Sequence, residues 1–176
     1  MKIILISGKA EAGKTTTANM IKDILEKKDQ PTCIVPYGQY VKDTARMLFN
    51  WDGKKDKAGR SLLQYWGTDV VRKKDPNFWV MASIDLANVI KDEFDYMIVD
   101  DCRFPNEIDL WKCLTAYPVL TIRVIRPGHE NMLTLEQRQH PSEISLDKYS
   151  FDIYLTATNK DELHDEVERK LSGKLW

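Results

Sequence analysis

Lys2-Ile3-Ile4-Leu5-Ile6-Ser7-Gly8-Lys9-Ala10-Glu11-Ala12-Gly13-Lys14-Thr15-Thr16 is the stretch whose reading decides the fold of this chain. The apolar run 3–7 has no polar alternation, which predicts a strand buried on both faces of a sheet. Gly8-Lys9-Ala10-Glu11-Ala12-Gly13-Lys14-Thr15 fits the pattern G-x-x-x-x-G-K-[ST] in full. From Lys14 onward, Ala18, Ile21, Ile24 and Leu25 recur at helical spacing, predicting an amphipathic helix over 14–28. A strand, a glycine-rich turn and a helix in that order form a phosphate-binding loop. Its glycines let backbone N–H groups turn inward, and the helix N-terminus adds positive potential. Residues Gly8 to Thr16 are therefore the candidate contacts to ATP. Lys14 is expected to reach the β- and γ-phosphates, and the Thr15 hydroxyl to ligate Mg2+.

Outward from that unit, four further β-type runs follow at 32–36, 96–99, 118–125 and 151–155. Between them lie helical periodicities, at 77–90 through Trp79, Ala82, Leu86 and Val89, and near the end through Leu163, Val167 and Leu171. Strand-then-helix alternation is the pattern of βαβ units, so the expected fold is α/β with a doubly wound parallel sheet. The chain reads as one domain over 1–176, without repeats or a long linker. Residues 38–92 are too long for a plain crossover and are expected to form a helical substrate-binding insert. The polar stretch 127–145, with Pro127, His129, His140 and Pro141 near its ends, has the composition of a lid.

Composition narrows the partners. Lys plus Arg is 26 against 27 Asp plus Glu, a net charge of −1, so the global basic field of a duplex nucleic-acid binder is missing. No apolar run approaches the ~18 residues of a membrane span, and residues 1–7 are too short for a signal peptide. Cys33, Cys102 and Cys113 show no CxxC spacing and read as reduced thiols of a cytoplasmic protein. The expected partners are small molecules, and a homodimer is compatible with this reading.

Tyr96-Met97-Ile98-Val99-Asp100-Asp101 is an apolar strand ending in acids, the arrangement that holds magnesium in phosphate-loop proteins. Asp100 and Asp101 are both candidate metal residues. Arginine forks suit phosphate oxygens better than ammonium groups do. Arg103, just after these acids, and Arg126, after the fourth strand, should face the phosphates, with Arg138 a further catalytic candidate. In the insert, Arg60 and Arg72 are candidate contacts to an acceptor, and Gln64 and Thr68 are placed to read a base edge. Leu62, Leu63, Trp66 and Val70 follow helical spacing and are expected in the core. Asn159-Lys160-Asp161-Glu162 imitates a guanine-reading N-K-x-D, but its fourth residue is Glu, so it reads as a helix N-terminus.

Four segments together resemble one family. They are Gly8 to Thr15, Leu63-Gln64-x-x-Gly67-Thr68-Asp69-x-x-Arg72, Asp100-Asp101-Cys102-Arg103-Phe104-Pro105-Asn106-Glu107 and His140-x-Ser142-Glu143-x-x-Leu146-Asp147. In this order they are similar to bacteriophage and prophage deoxynucleoside monophosphate kinases. The resemblance implies phosphotransfer from ATP with magnesium, and Arg103 and Arg72 on the acceptor. It also brings Asp69 into the substrate-binding set, beside Arg60, Gln64 and Thr68. Animal phosphomevalonate kinases share a similar layout, so transfer to a phosphate acceptor is better supported than the identity of its nucleoside. A hydroxyl acceptor such as a nucleoside or dephospho-coenzyme A, and a regulatory NTPase without a small acceptor, are the alternative readings.

Overall fold

The computed structural model describes residues 1–54, 56–129, 133–134 and 138–175. Strand β1 (Lys2–Gly8) is the centre of the fold, because it is apolar on both faces. Ile4 and Ile6 pack with α1 (Lys14–Glu26) and with the last helix, α7 (Lys160–Leu171). Ile3 and Leu5 point the other way, into a second core. That core contains Tyr37 of α2 (Tyr37–Phe49), Trp79 and Ile84 of α4 (Phe78–Ile90), and Ile108 and Trp111 of α5 (Asn106–Leu114). Each such side chain contributes about 1.5–3 kcal/mol when fully buried, so β1 alone ties both layers to the sheet.

The strands are β1, β2 (Thr32–Ile34), β3 (Tyr96–Cys102), β4 (Val119–Ile125) and β5 (Ile153–Thr156). Among the described residues they form one parallel sheet in the order β2-β3-β1-β4-β5. This is the expected doubly wound α/β sheet. β5 lies at an edge, and its burial alternates accordingly. Strand order reverses at β1, so the loops after β1 and β3 open on the crevice where doubly wound sheets bind ligands. β1 and β4 approach so closely there that a Cβ on Gly8 would sit 2.7 Å from the Val124 carbonyl oxygen. Gly13, at φ 99°, takes the left-handed turn into α1.

Between β2 and β3 come α2, α3 (Lys57–Gln64), a π-helix (Tyr65–Arg72) that continues α3, and α4. Two expectations are corrected here. Helix α4 buries Trp79, Val80, Ser83, Ile84 and Ala87, while Val89 is 78% exposed. That helix is apolar almost all round, so spacing alone offered more than one inward face, and the neighbours of Trp79 selected another. Leu62, Leu63 and Val70 are only half-buried, Trp66 packs half-buried against the second core as expected, and Gly67 and Val71 are buried. The i→i+5 bonding of the π-helix widens the turn and moves the buried face off the 3.6-residue period. Gly67 is placed against Val41, where a Cβ would lie 2.9 Å from the valine Cγ1.

Asn159 caps α7 by accepting the Glu162 amide at 2.9 Å, and Glu162 reaches back to the Thr158 amide at 2.8 Å. This is the reciprocal cap expected of a helix N-terminus. Helix α6 (Pro141–Ile144) is short and lies beside the loop after β1. Lys55, and residues 130–132 and 135–137 of the expected lid, lie outside the described residues. No described helix is long and apolar enough to cross a membrane.

Candidate active site

The phosphate loop, the C-terminal end of β3 and helix α6 meet at one end of the sheet. Parallel pairing of Ile4 with Ile98 and Leu5 with Val99 brings the exits of β1 and β3 side by side. The Thr15 hydroxyl consequently donates to Asp100 Oδ2 at 2.6 Å. Asp100 is 5% exposed. Its neighbour Asp101 is used differently: its two oxygens accept the Tyr37 and Gly38 amides, each at 2.8 Å, at the start of α2. Burial pushes the Asp101 carboxyl up to about 6, even though these amide bonds favour its charge. The two acids are thus separated in role by their partners. Thr15 and Asp100 offer the hard oxygen donors that magnesium takes, one or two from protein and the rest from phosphates and water. No group of three His, Cys, Asp or Glu side chains with metal-holding geometry occurs among the described residues.

Lys14 folds over the loop, donating to the Gly8 carbonyl at 2.9 Å and the Lys9 carbonyl at 2.8 Å. Burial, and after it the charge of Arg103, lowers the Lys14 ammonium to about 8. Anionic phosphates would oppose this lowering by supplying a counter-charge.

A cleft of about 660 Å³ opens beside the loop, between α2, the π-helix and the turn after β3. Gln64, Thr68, Arg72, Asp101, Arg103 and His140 are among its lining residues. Arg72 pairs with Glu107 at 2.5 Å and lies over the Phe104 ring at 4.9 Å. Glu107, 1% exposed, also accepts the Arg103 amide at 2.6 Å and the Phe104 amide at 3.1 Å. One buried carboxylate therefore fixes both the Arg72 side chain and the backbone that carries Arg103. Arg103 itself donates to the Ser142 carbonyl at 3.2 Å and to Glu143.

Other predicted residues are distributed around this centre. Asp69 is exposed and lines a neighbouring apolar cleft with Thr68, Arg72 and Phe104. Arg60 is exposed on α3 and lines neither cleft as described. Arg126 donates to the Thr158 carbonyl at 3.2 Å and borders a smaller cavity of about 150 Å³. Gly13, Thr16, Asn159 and Lys160 form other walls of that cavity, which adjoins the second half of the phosphate loop. Arg138 donates to the Leu133 carbonyl at 3.1 Å. Trp79 is buried and donates to the Gly67 carbonyl at 3.1 Å, while Trp66 donates to Thr44 at 2.8 Å, so both indoles pack the insert. His140 caps α6, accepting the Ser142 amide at 3.2 Å, and His129 meets Glu11 of the loop at 3.0 Å.

Sequence reasoning assigned no role to Glu107, Glu143, Asp147 or Arg123. Each makes its defining contact with a residue 24 or more positions away, Glu107's amide bonds to its own turn apart. The only signal was that three of them sit inside segments shared with a known family.

A family model described as deoxynucleotide monophosphate kinase matches residues 37–169. The deoxynucleotide monophosphate kinases of Enterobacteria phage T4 and Escherichia phage RB69 are each 30% identical over 115 residues, covering 64% of this chain and 44% of theirs. The matched stretch thus spans less than half the length of these phage relatives. The phosphomevalonate kinase of Drosophila melanogaster is 29% identical over 182 residues, covering 95% of this chain and 93% of its own. Among solved structures, a point mutant of the Mycobacterium tuberculosis APS kinase superposes with a TM-score of 0.55 at 15% identity, covering 97% of this chain and 96% of that one. The same kinase in complex with AMPPNP and APS gives 0.53 at 15%, covering 97% of each. At such identity the likeness shows the fold, that of P-loop kinases.

Proposed function

Because this chain belongs to the deoxynucleotide monophosphate kinase family, we propose that it moves the γ-phosphoryl of ATP onto the 5′-phosphate of a deoxynucleoside monophosphate, releasing ADP and the diphosphate. The observation that carries this reading is Arg103, which lines the large cleft and is tied through Glu143 to the Ala10 amide of the phosphate loop. A cation shared between cleft and phosphate loop suits transfer from one phosphate to another.

The acceptor oxygen needs no base. A monophosphate has a second pKa near ~6, so at neutral pH its attacking oxygen is already ionised. Catalysis then consists of positioning and charge. The loop amides and Lys14 hold the donor phosphates, and Arg103, with Arg72 behind it, holds the acceptor phosphate. Gln64 and Thr68 supply an amide and a hydroxyl for a base edge in the same cleft. The donor's base is assigned to the smaller cavity beside Arg126, Asn159 and Lys160. Thr15 and Asp100 would hold magnesium, which when bound neutralises charge on the β- and γ-phosphates.

The near full-length match to a phosphomevalonate kinase favours one second reading, an aliphatic phosphate as acceptor. Coupled ADP release decides between them. With ATP and magnesium, turnover is expected with deoxynucleoside 5′-monophosphates and not with nucleosides. Turnover with phosphomevalonate alone selects the second reading, and turnover with nucleosides or dephospho-coenzyme A alone overturns both.

A further inference from the structure

Glu143 takes no part in that reaction as described, yet its side chain is 8% exposed and its two oxygens serve different halves of the site. Oε2 accepts the Ala10 amide of the phosphate loop at 2.9 Å. Oε1 pairs with Arg103 Nη1, in the turn after β3. A single carboxylate therefore spans the donor loop and the arginine assigned to the acceptor. The backbone around it is held as well. Lys9 donates to the Glu143 carbonyl at 2.7 Å and pairs with Asp147 at 2.5 Å. Asp147 also takes Arg123 at 2.8 Å, and Arg123 reaches Ser7 of β1 at 2.9 Å. The residue is thus anchored to the sheet independently of Arg103.

We infer that Glu143 is a positioning residue that holds Arg103 at a fixed distance from the phosphate loop, so that an acceptor phosphate on Arg103 is presented to the phosphoryl carried by the loop. The inference rests on Arg103 being the acceptor's ligand. An arginine side chain has several rotatable bonds and, without a tether, follows the phosphate it binds. Misplacement by about 1 Å at a reacting centre can cost on the order of 10²-fold in rate. Glu143 is also an anion that competes with the acceptor for the same guanidinium. Its removal should therefore leave acceptor binding as tight or tighter while turnover falls. Loss of Arg103 itself should weaken acceptor binding, turnover or both.

The test compares E143Q, E143D, R103K and the R103K/E143Q double variant in steady-state kinetics, with binding of a deoxynucleoside monophosphate measured by calorimetry. A glutamine has only one accepting oxygen, and an aspartate is one methylene too short to span both partners. The expected result for E143Q and E143D is a kcat at least tenfold lower, with acceptor Kd unchanged or smaller. If Glu143 acts through Arg103, the double variant is no slower than R103K. Losses that multiply in the double variant, a kcat for E143Q and E143D within twofold of the parent, or a weakened acceptor Kd would each overturn the inference. Unfolding of both glutamate variants in thermal melts would do so too, by making the residue structural. Unchanged acceptor parameters in R103K would instead sink the reading of Arg103, whereas an impaired R103K beside a normal E143Q sinks only the role of Glu143.

Discussion

The hydroxyl of Thr15 and the carboxylate of Asp100, 85 residues apart in sequence, are joined by a 2.6 Å hydrogen bond at the switch point of the sheet. Asp101, one residue further, is held instead by the first two amides of α2. Adjacent acids on a strand point to opposite faces, so one meets the phosphate loop and the other meets the insert.

This division predicts different losses. Asp100→Asn should raise the magnesium concentration needed for half-maximal turnover by tenfold or more, with little change in melting temperature. Asp101→Asn keeps one acceptor for two amides and should lower the melting temperature, leaving magnesium dependence near normal. Magnesium titrations of both variants, beside thermal melts, check the assignment. Equal magnesium requirements in the two would refute it.

Lys14→Ala should cost on the order of 10²–10³ in rate while the fold survives, because the ammonium stabilises transferring charge and its two hydrogen bonds lie within the phosphate loop itself. Near-normal activity with an unchanged circular dichroism spectrum would rule out Lys14 as a phosphate ligand. The free enzyme should also bind a fluorescent ATP analogue more weakly as pH rises through about 8, where the Lys14 ammonium discharges. Lys14→Arg, whose guanidinium keeps its charge, should lose that alkaline limb. Linkage has the opposite sign for stability. The unfolded chain keeps this proton up to 10.5, so between about 8 and 10.5 the contribution of Lys14 to ligand-free stability rises with pH.

Arg103→Lys retains the charge and loses the planar fork. Acceptor KM should rise, or kcat fall, by tenfold or more, about 1.4 kcal/mol of binding or activation free energy. ATP binding should change little. Steady-state kinetics with the acceptor varied at saturating ATP measure this directly, and unaltered acceptor constants would make Arg103 a structural residue.

Tyr37→Phe tests the packing beneath the site. The Tyr37 hydroxyl donates to the Glu107 carbonyl and accepts from Trp111 Nε1, both at 2.9 Å, in the core between α2 and α5. Its deletion leaves a buried donor and acceptor unpaired, at a cost of about 1–3 kcal/mol. For a chain of this size each kcal/mol lowers the melting temperature by about 2–4 °C. Denaturant melts should show a lower midpoint at constant slope. An unchanged midpoint would mean that relaxation or water satisfies both groups.

What the sequence determined by itself is what depends on local order. Ile3 to Thr15 specify strand, turn and helix through neighbouring residues, because an unalternating apolar run, two glycines and a lysine before a hydroxyl have few other uses. The remaining strands were legible for the same reason, and the Asn159 cap because Glu162 stands three residues on. The tertiary structure alone decided what depends on pairing. That Asp100 meets Thr15 while Asp101 meets the start of α2 required the register of β3 beside β1. The inward face of α4 required the opposing core, since the helix is apolar on several sides. Within the π-helix the buried positions are Gly67 and Val71, where a 3.6-residue period marked out Val70. Glu107, Glu143 and Asp147 look in sequence like acids of short helical turns. A carboxylate acquires its role from the cation the fold brings to it, and Arg72, Arg103, Arg123 and Lys9 arrive from 24 to 138 residues away.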